Sequence, residues 1–109
     1  MSAQPEVELL WWRGCPSWER AIEIVRAEMA EAGLDPQALA VREVADEREA
    51  ELAGFPGSPT VRVDGRDIED AAGEPAGLTC RVYRLRDGRI SALPDPADVR
   101  EALLAAKGV

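Results

Sequence analysis

The chain has 109 residues, enough for one domain over 1–109 and too few for two. Its 46% apolar content argues against global disorder, and a net charge of −8 without a run of Lys or Arg argues against nucleic-acid or anionic-membrane binding. With no histidine, it is denied Ser-His triads, Cys-His nucleophiles and the usual zinc sites.

No stretch nears the ~20 apolar residues of a membrane span, and Met1 to Glu8 shows no charged-then-apolar signal pattern. The chain contains two cysteines, too few for a secreted disulfide framework, and the expected location is the cytoplasm. Val7 to Trp12 is apolar apart from Glu8 and predicts a strand covered on both faces. Cys15 follows, then Pro16, which suits the first turn of a helix. Trp18, Ala21, Ile22, Val25, Met29 and Ala32 then recur at helical spacing as far as Gly33, with Met29 expected in the core. A weaker strand is expected over 38–44, and Asp46 with Glu49 forms a capping box for a helix reaching Ala53. The turn-rich "GFPGSPT" (54–60) leads into a strand at Thr60 to Asp64, with Asp64-Gly65 as a hairpin signal. Residues 69–79 read as loop, Arg81 to Leu85 as a strand and Asp87-Gly88 as a turn. Asp95-Pro96 opens a last helix with Val99, Ala102, Leu103 and Ala106 on one face. The expected class is α/β, in the order β-α-β-α-β-β-α around a mixed central sheet.

Cys15 thus stands where the first strand gives way to the first helix, the end of an open α/β sheet that carries function. Unpaired N–H groups at a helix start favour a thiolate, and Arg13 is a cation nearby, so a thiol reactive near neutral pH is expected. Trp18, about one helical turn on, is expected to lie buried beneath the cysteine, an apolar neighbour in place of a hydrogen-bond donor.

These residues resemble the thioredoxin-like superfamily. "GCPSW" is similar to its active-site motif, with Cys15 in the first cysteine's place and Trp18 in the second's, and "SPT" is similar to the segment before its third strand. The wider pattern, with "GFPGSPTVRVDG" and "GLTCRVYR", resembles small bacterial thioredoxin-family proteins, some of them labelled alkylmercury lyase. The resemblance implies a three-layer thioredoxin-like fold, a cis-Pro59 opposite Cys15, and a Ser58 backbone offered to an extended substrate. It implies thiol–disulfide oxidoreductase chemistry with Cys15 as nucleophile. The monothiol motif leaves no local resolving thiol, so resolution falls to an external thiol such as glutathione or to Cys80.

Two placements of Cys80 are open. If residues 66–69 return along the third strand, the 70–79 loop carries Cys80 near Cys15. If 80–85 is the fourth strand, antiparallel to 60–64, Cys80 lies at the far end, beyond disulfide reach; the reading leans to this second arrangement. The substrate-binding candidates are Trp12, Pro16, Trp18, Ser58 and Pro59. The alternatives to an oxidoreductase are a non-catalytic thioredoxin-like binding module and soft-metal (mercury) binding through Cys15 and Cys80. An iron–sulfur cluster is disfavoured because Pro16 removes an N–H beside the sulfur, and no cofactor is expected. The expected partner is a thiol or disulfide, glutathione or a protein, handled by a monomer or homodimer, with no nucleic acid and no membrane.

Overall fold

The first strand, β1 (Val7–Trp11), shows the period of two that builds the molecule. Val7 and Leu9 enter one core and Leu10 another, with Trp11 packed against the first and Trp12 against the second. The structure is a computed structural model describing residues 4–69 and 73–108. Beside β1, β2 (Ala40–Glu43) runs parallel and β3 (Thr60–Val63) antiparallel, and β4 (Arg66–Asp67) closes a mixed sheet of order β2-β1-β3-β4.

On one face lie α1 (Trp18–Glu31) and α3 (Pro96–Lys107), which share a core of Val25 and Met29 with Val99 and Leu103. On the other, α2 (Glu47–Ala53) places Ala50 against Leu10, Val44 and Phe55. The caps are in the residues. Asp46 Oδ1 accepts from the Glu49 N–H at 2.8 Å, the Glu49 carboxylate accepts from the Ala45 N–H at 2.7 Å, and Asp95 caps α3 through the Ala97 N–H at 2.9 Å. Among the described residues no helix is long and apolar enough to cross a membrane.

Three expectations are corrected. α1 begins at Trp18, two residues after Pro16, because the Cys15 N–H donates to the Trp12 carbonyl at 3.1 Å and holds the intervening chain as a turn. The fourth strand of the sheet is β4, not 80–85: Asp64 (φ 51°) and Gly65 (φ 79°) are both left-handed, and this tight turn returns the chain directly along β3. The expected strand at 81–85 is shorter and lies elsewhere, as β5 (Tyr83–Arg84) paired with β6 (Ile90–Ser91) in a separate ribbon. Of the loop expected over 69–79, residues 70–72 lie outside the described residues.

Candidate thiol site

With β4 in that place, the chain before β5 is free to lie elsewhere. It runs parallel to the segment leading into β3: Gly77 N–H donates to Phe55 C=O at 3.0 Å, Ser58 N–H to Thr79 C=O at 2.8 Å, and Arg81 N–H to Ser58 C=O at 2.8 Å. Ser58 and Cys80 are bridged as neighbours. Gly57 makes the approach feasible. Its φ of +140° is one that side chains rarely adopt, and a Cβ there would stand 3.2 Å from the backbone N and Cβ of Arg81.

Cys15 reaches the same serine from the other side. Its Sγ donates to the Ser58 carbonyl at 3.5 Å and lies 3.4 Å from the Ser17 hydroxyl, which serves the sulfur and not the helix end. Ser58 therefore joins both cysteines, and the placement toward which the sequence leaned is overturned: Cys80 is beside Cys15, not at the far end. Both thiols are free. Hydrogen bonding with the Cys15 side chain, then burial, then the Cys15 charge push the Cys80 thiol up to about 11.

The two differ sharply in access. Cys15 is 1% exposed, whereas Cys80 is open to solvent. Cys80 borders a cleft of about 320 Å³ formed with Pro56, Glu74, Pro75 and Val82.

The other expected site residues divide. Pro59 follows a cis Ser58–Pro59 bond, is buried, and its carbonyl accepts from the Tyr83 hydroxyl at 2.6 Å. Ser58 is buried with its N–H and C=O already paired to Thr79 and Arg81, so its backbone is not open to a substrate strand as expected. Its hydroxyl accepts from the Trp12 N–H at 3.0 Å. The Trp12 ring covers Gly14, where a Cβ would overlap it. Pro16 is exposed. Trp18 is not the buried floor expected beneath the cysteine: it is half-buried and stacked on Trp11, with ring centroids 3.9 Å apart and planes at 17°. Arg13 does not serve the sulfur, since its exposed guanidinium pairs with Glu43 at 3.2 Å.

Sequence reasoning missed Ser17, Arg81 and Tyr83. Arg81 is 8% exposed; it donates to Asp67 at 2.7 Å, Thr60 Oγ1 at 3.3 Å and the Glu69 carbonyl at 3.2 Å, and lies over the Tyr83 ring. Burial weighs against its charge, but the hydrogen bond it donates to Asp67 and the surrounding charges hold its pKa above the ordinary value. Burial likewise pushes the Tyr83 hydroxyl upward, keeping it a donor to Pro59. A signal was present. Arg81 and Tyr83 point inward while Cys80, Val82 and Arg84 point outward, a period of two that places one arginine on the covered face.

Among the described residues no three His, Cys, Asp or Glu side chains converge, so a soft cation here would find two sulfurs and no further ligand of that kind. What the arrangement offers chemically is two free thiols on neighbouring segments, one buried and one exposed. No family model, curated protein or solved structure matches the chain.

Proposed function

We propose that this chain is a thioredoxin-like thiol–disulfide exchange protein whose working pair is Cys15 and Cys80. The resemblance in "GCPSW" and "SPT" is supported by the element order, the mixed sheet β2-β1-β3-β4 and a cis proline entering β3 beside the cysteine that follows β1. The observation that carries the function is the meeting of the two cysteines at Ser58. It provides a partner sulfur that the Trp18 position lacks.

Oxidation removes one electron and one proton from each thiol and joins the sulfurs; two equivalents of an external thiol return both. Substrates are small thiols such as glutathione, or protein thiols. The test is treatment of the reduced chain with a diazene dicarboxamide oxidant, followed by intact mass and peptide mapping without reductant. A monomer joined through Cys15 and Cys80 is expected. A chain that keeps both thiols free, or that joins only to other copies, overturns the reading.

A further inference from the structure

We propose that external thiols and disulfides meet this pair at Cys80, and that Cys15 is the internal sulfur that resolves the resulting mixed disulfide. This rests on the exchange reading and reverses the roles expected from the sequence.

Exchange requires one sulfur to approach another along the axis of the breaking S–S bond. Cys15 has no open approach: it is 1% exposed, between the Ser17 hydroxyl and the Ser58 carbonyl, with Cys80 beside it. Cys80 has one, through the cleft shared with Pro56, Pro75 and Val82.

Uncovering Cys15 from the Cys80 side is the costly route. The segment carrying Cys80 is pinned on both sides, by the Gly77, Thr79 and Arg81 backbone bonds, by the buried Arg81–Asp67 pair and by the Tyr83 hydroxyl on Pro59. Several of these would have to break together. Entry at Cys80 breaks none of them.

The steps balance. In the reducing direction the Cys80 thiol loses its proton and its sulfur attacks a disulfide R–S–S–R, forming Cys80–S–S–R and releasing RS⁻, which takes up a proton. The Cys15 thiol then loses its proton and attacks the Cys80 sulfur. The S–S bond between Cys80 and the substrate sulfur breaks, the second RS⁻ is protonated, and the Cys15–Cys80 disulfide remains. The substrate has gained two electrons and two protons and the protein has lost them. In reverse, an external thiolate attacks the Cys80 sulfur and Cys15 leaves, so the same mixed disulfide lies on the path in both directions.

The experiment uses bis(2-hydroxyethyl) disulfide, small and uncharged, on Cys15→Ser and Cys80→Ser chains, read by intact mass. Cys15→Ser is expected to take up the adduct at Cys80 and keep it, having no second thiol to remove it. Cys80→Ser is expected to react about tenfold more slowly or worse, because its sulfur waits on local opening. Faster adduct formation in Cys80→Ser overturns the assignment. Because that substitution can loosen the segment, the oxidised wild type is also given one equivalent of 2-mercaptoethanol, quenched with acid and mapped. Adduct at Cys80 supports the proposal, and adduct at Cys15 overturns it while leaving the exchange reading intact. If no internal disulfide forms in the wild type, the exchange reading fails and the resolving role of Cys15 goes with it.

Discussion

The two cysteines sit on segments built in opposite ways. Cys15 lies in a local turn whose backbone closure is the bond from its own N–H to Trp12, with the Trp12 ring laid over Gly14. Cys80 lies on a segment fixed at long range, to Phe55 and Ser58 through the backbone and to Asp67 and Thr60 through Arg81. The loosely tied segment hides its sulfur and the tightly tied one exposes it. Burial of a thiol is therefore no measure of how firmly its chain is held. Here the exposed sulfur is the one held by the stronger frame.

The largest expected effect comes from breaking that frame. Arg81→Met leaves the Asp67 carboxylate, 15% exposed as a side chain, without its cation. Removing one partner of a buried pair costs about 3–5 kcal/mol, because the remaining charge stays uncompensated. A denaturant melt should show a loss of that order, and Cys15 should become accessible to thiol reagents in the native buffer. A melt unchanged from wild type would mean that the 77–83 segment is held by its backbone pairing alone.

The second effect is on rate. With its thiol pushed up from 9.0 to about 11 by the Cys15 side chain, Cys80 holds about a hundredfold less thiolate near neutral pH than an unshifted cysteine. Its alkylation should rise about tenfold per pH unit and level off only near pH 11. Cys15→Ala removes the hydrogen-bonding and charged neighbour and should move the break back toward 9.0. The same shift bears on stability with a definite sign. The folded chain holds this proton more tightly than the unfolded one, so the contribution is complete below pH 9.0 and is lost as the pH rises toward about 11. Alkylation of Cys80 that levels off at the same pH with and without Cys15 would separate the two sulfurs.

Gly57→Ala tests the close approach itself. The added Cβ meets Arg81 N and Cβ and Thr79 Cγ2 at 3.2 Å, on a backbone of φ +140°. Such strain costs about 1–3 kcal/mol. The loss should appear in a melt, together with faster amide exchange at Ser58 and Arg81, whose N–H groups make two of the three backbone bonds between the segments. Destabilisation without faster exchange at those amides would locate the strain elsewhere.

The same contrast explains what could be read from the residues. α1 follows from its apolar spacing, α2 from its cap and α3 from both, all contained within each segment, and Asp64-Gly65 marks its own turn. The site at Cys15 was legible because a cysteine between Gly14 and Pro16 closes an apolar strand. The place of Cys80 was not, because it depends on a parallel pairing between 55–58 and 77–81 that neither segment announces. Gly57, between Pro56 and Pro59, is the nearest thing to a signal. The late start of α1 escaped for a related reason. Pro16 permits a helix start, while the Cys15-to-Trp12 bond and the Ser17 contact with the sulfur decide where the helix begins.

The smallest expected effect lies on the Cys15 side. Trp11 ends β1 and Trp18 begins α1, and their stacking bridges the turn that contains Cys15. If one backbone bond is all that closes this turn from within, the stack is what holds it from outside. Trp11→Ala and Trp18→Ala will each lose apolar burial, which says nothing about the contact. A double-mutant cycle isolates it, and stacked aromatic pairs couple by about 0.5–1.5 kcal/mol beyond their burial. We expect a coupling in that range, lost excitonic structure in the near-ultraviolet circular dichroism of either single variant, and faster reaction of Cys15 with thiol reagents while Cys80 reacts as before. Coupling near zero, with Cys15 still shielded in both variants, would show that the turn keeps its sulfur covered without the stack. The difference between the two segments would then lie in the frame around Cys80 alone.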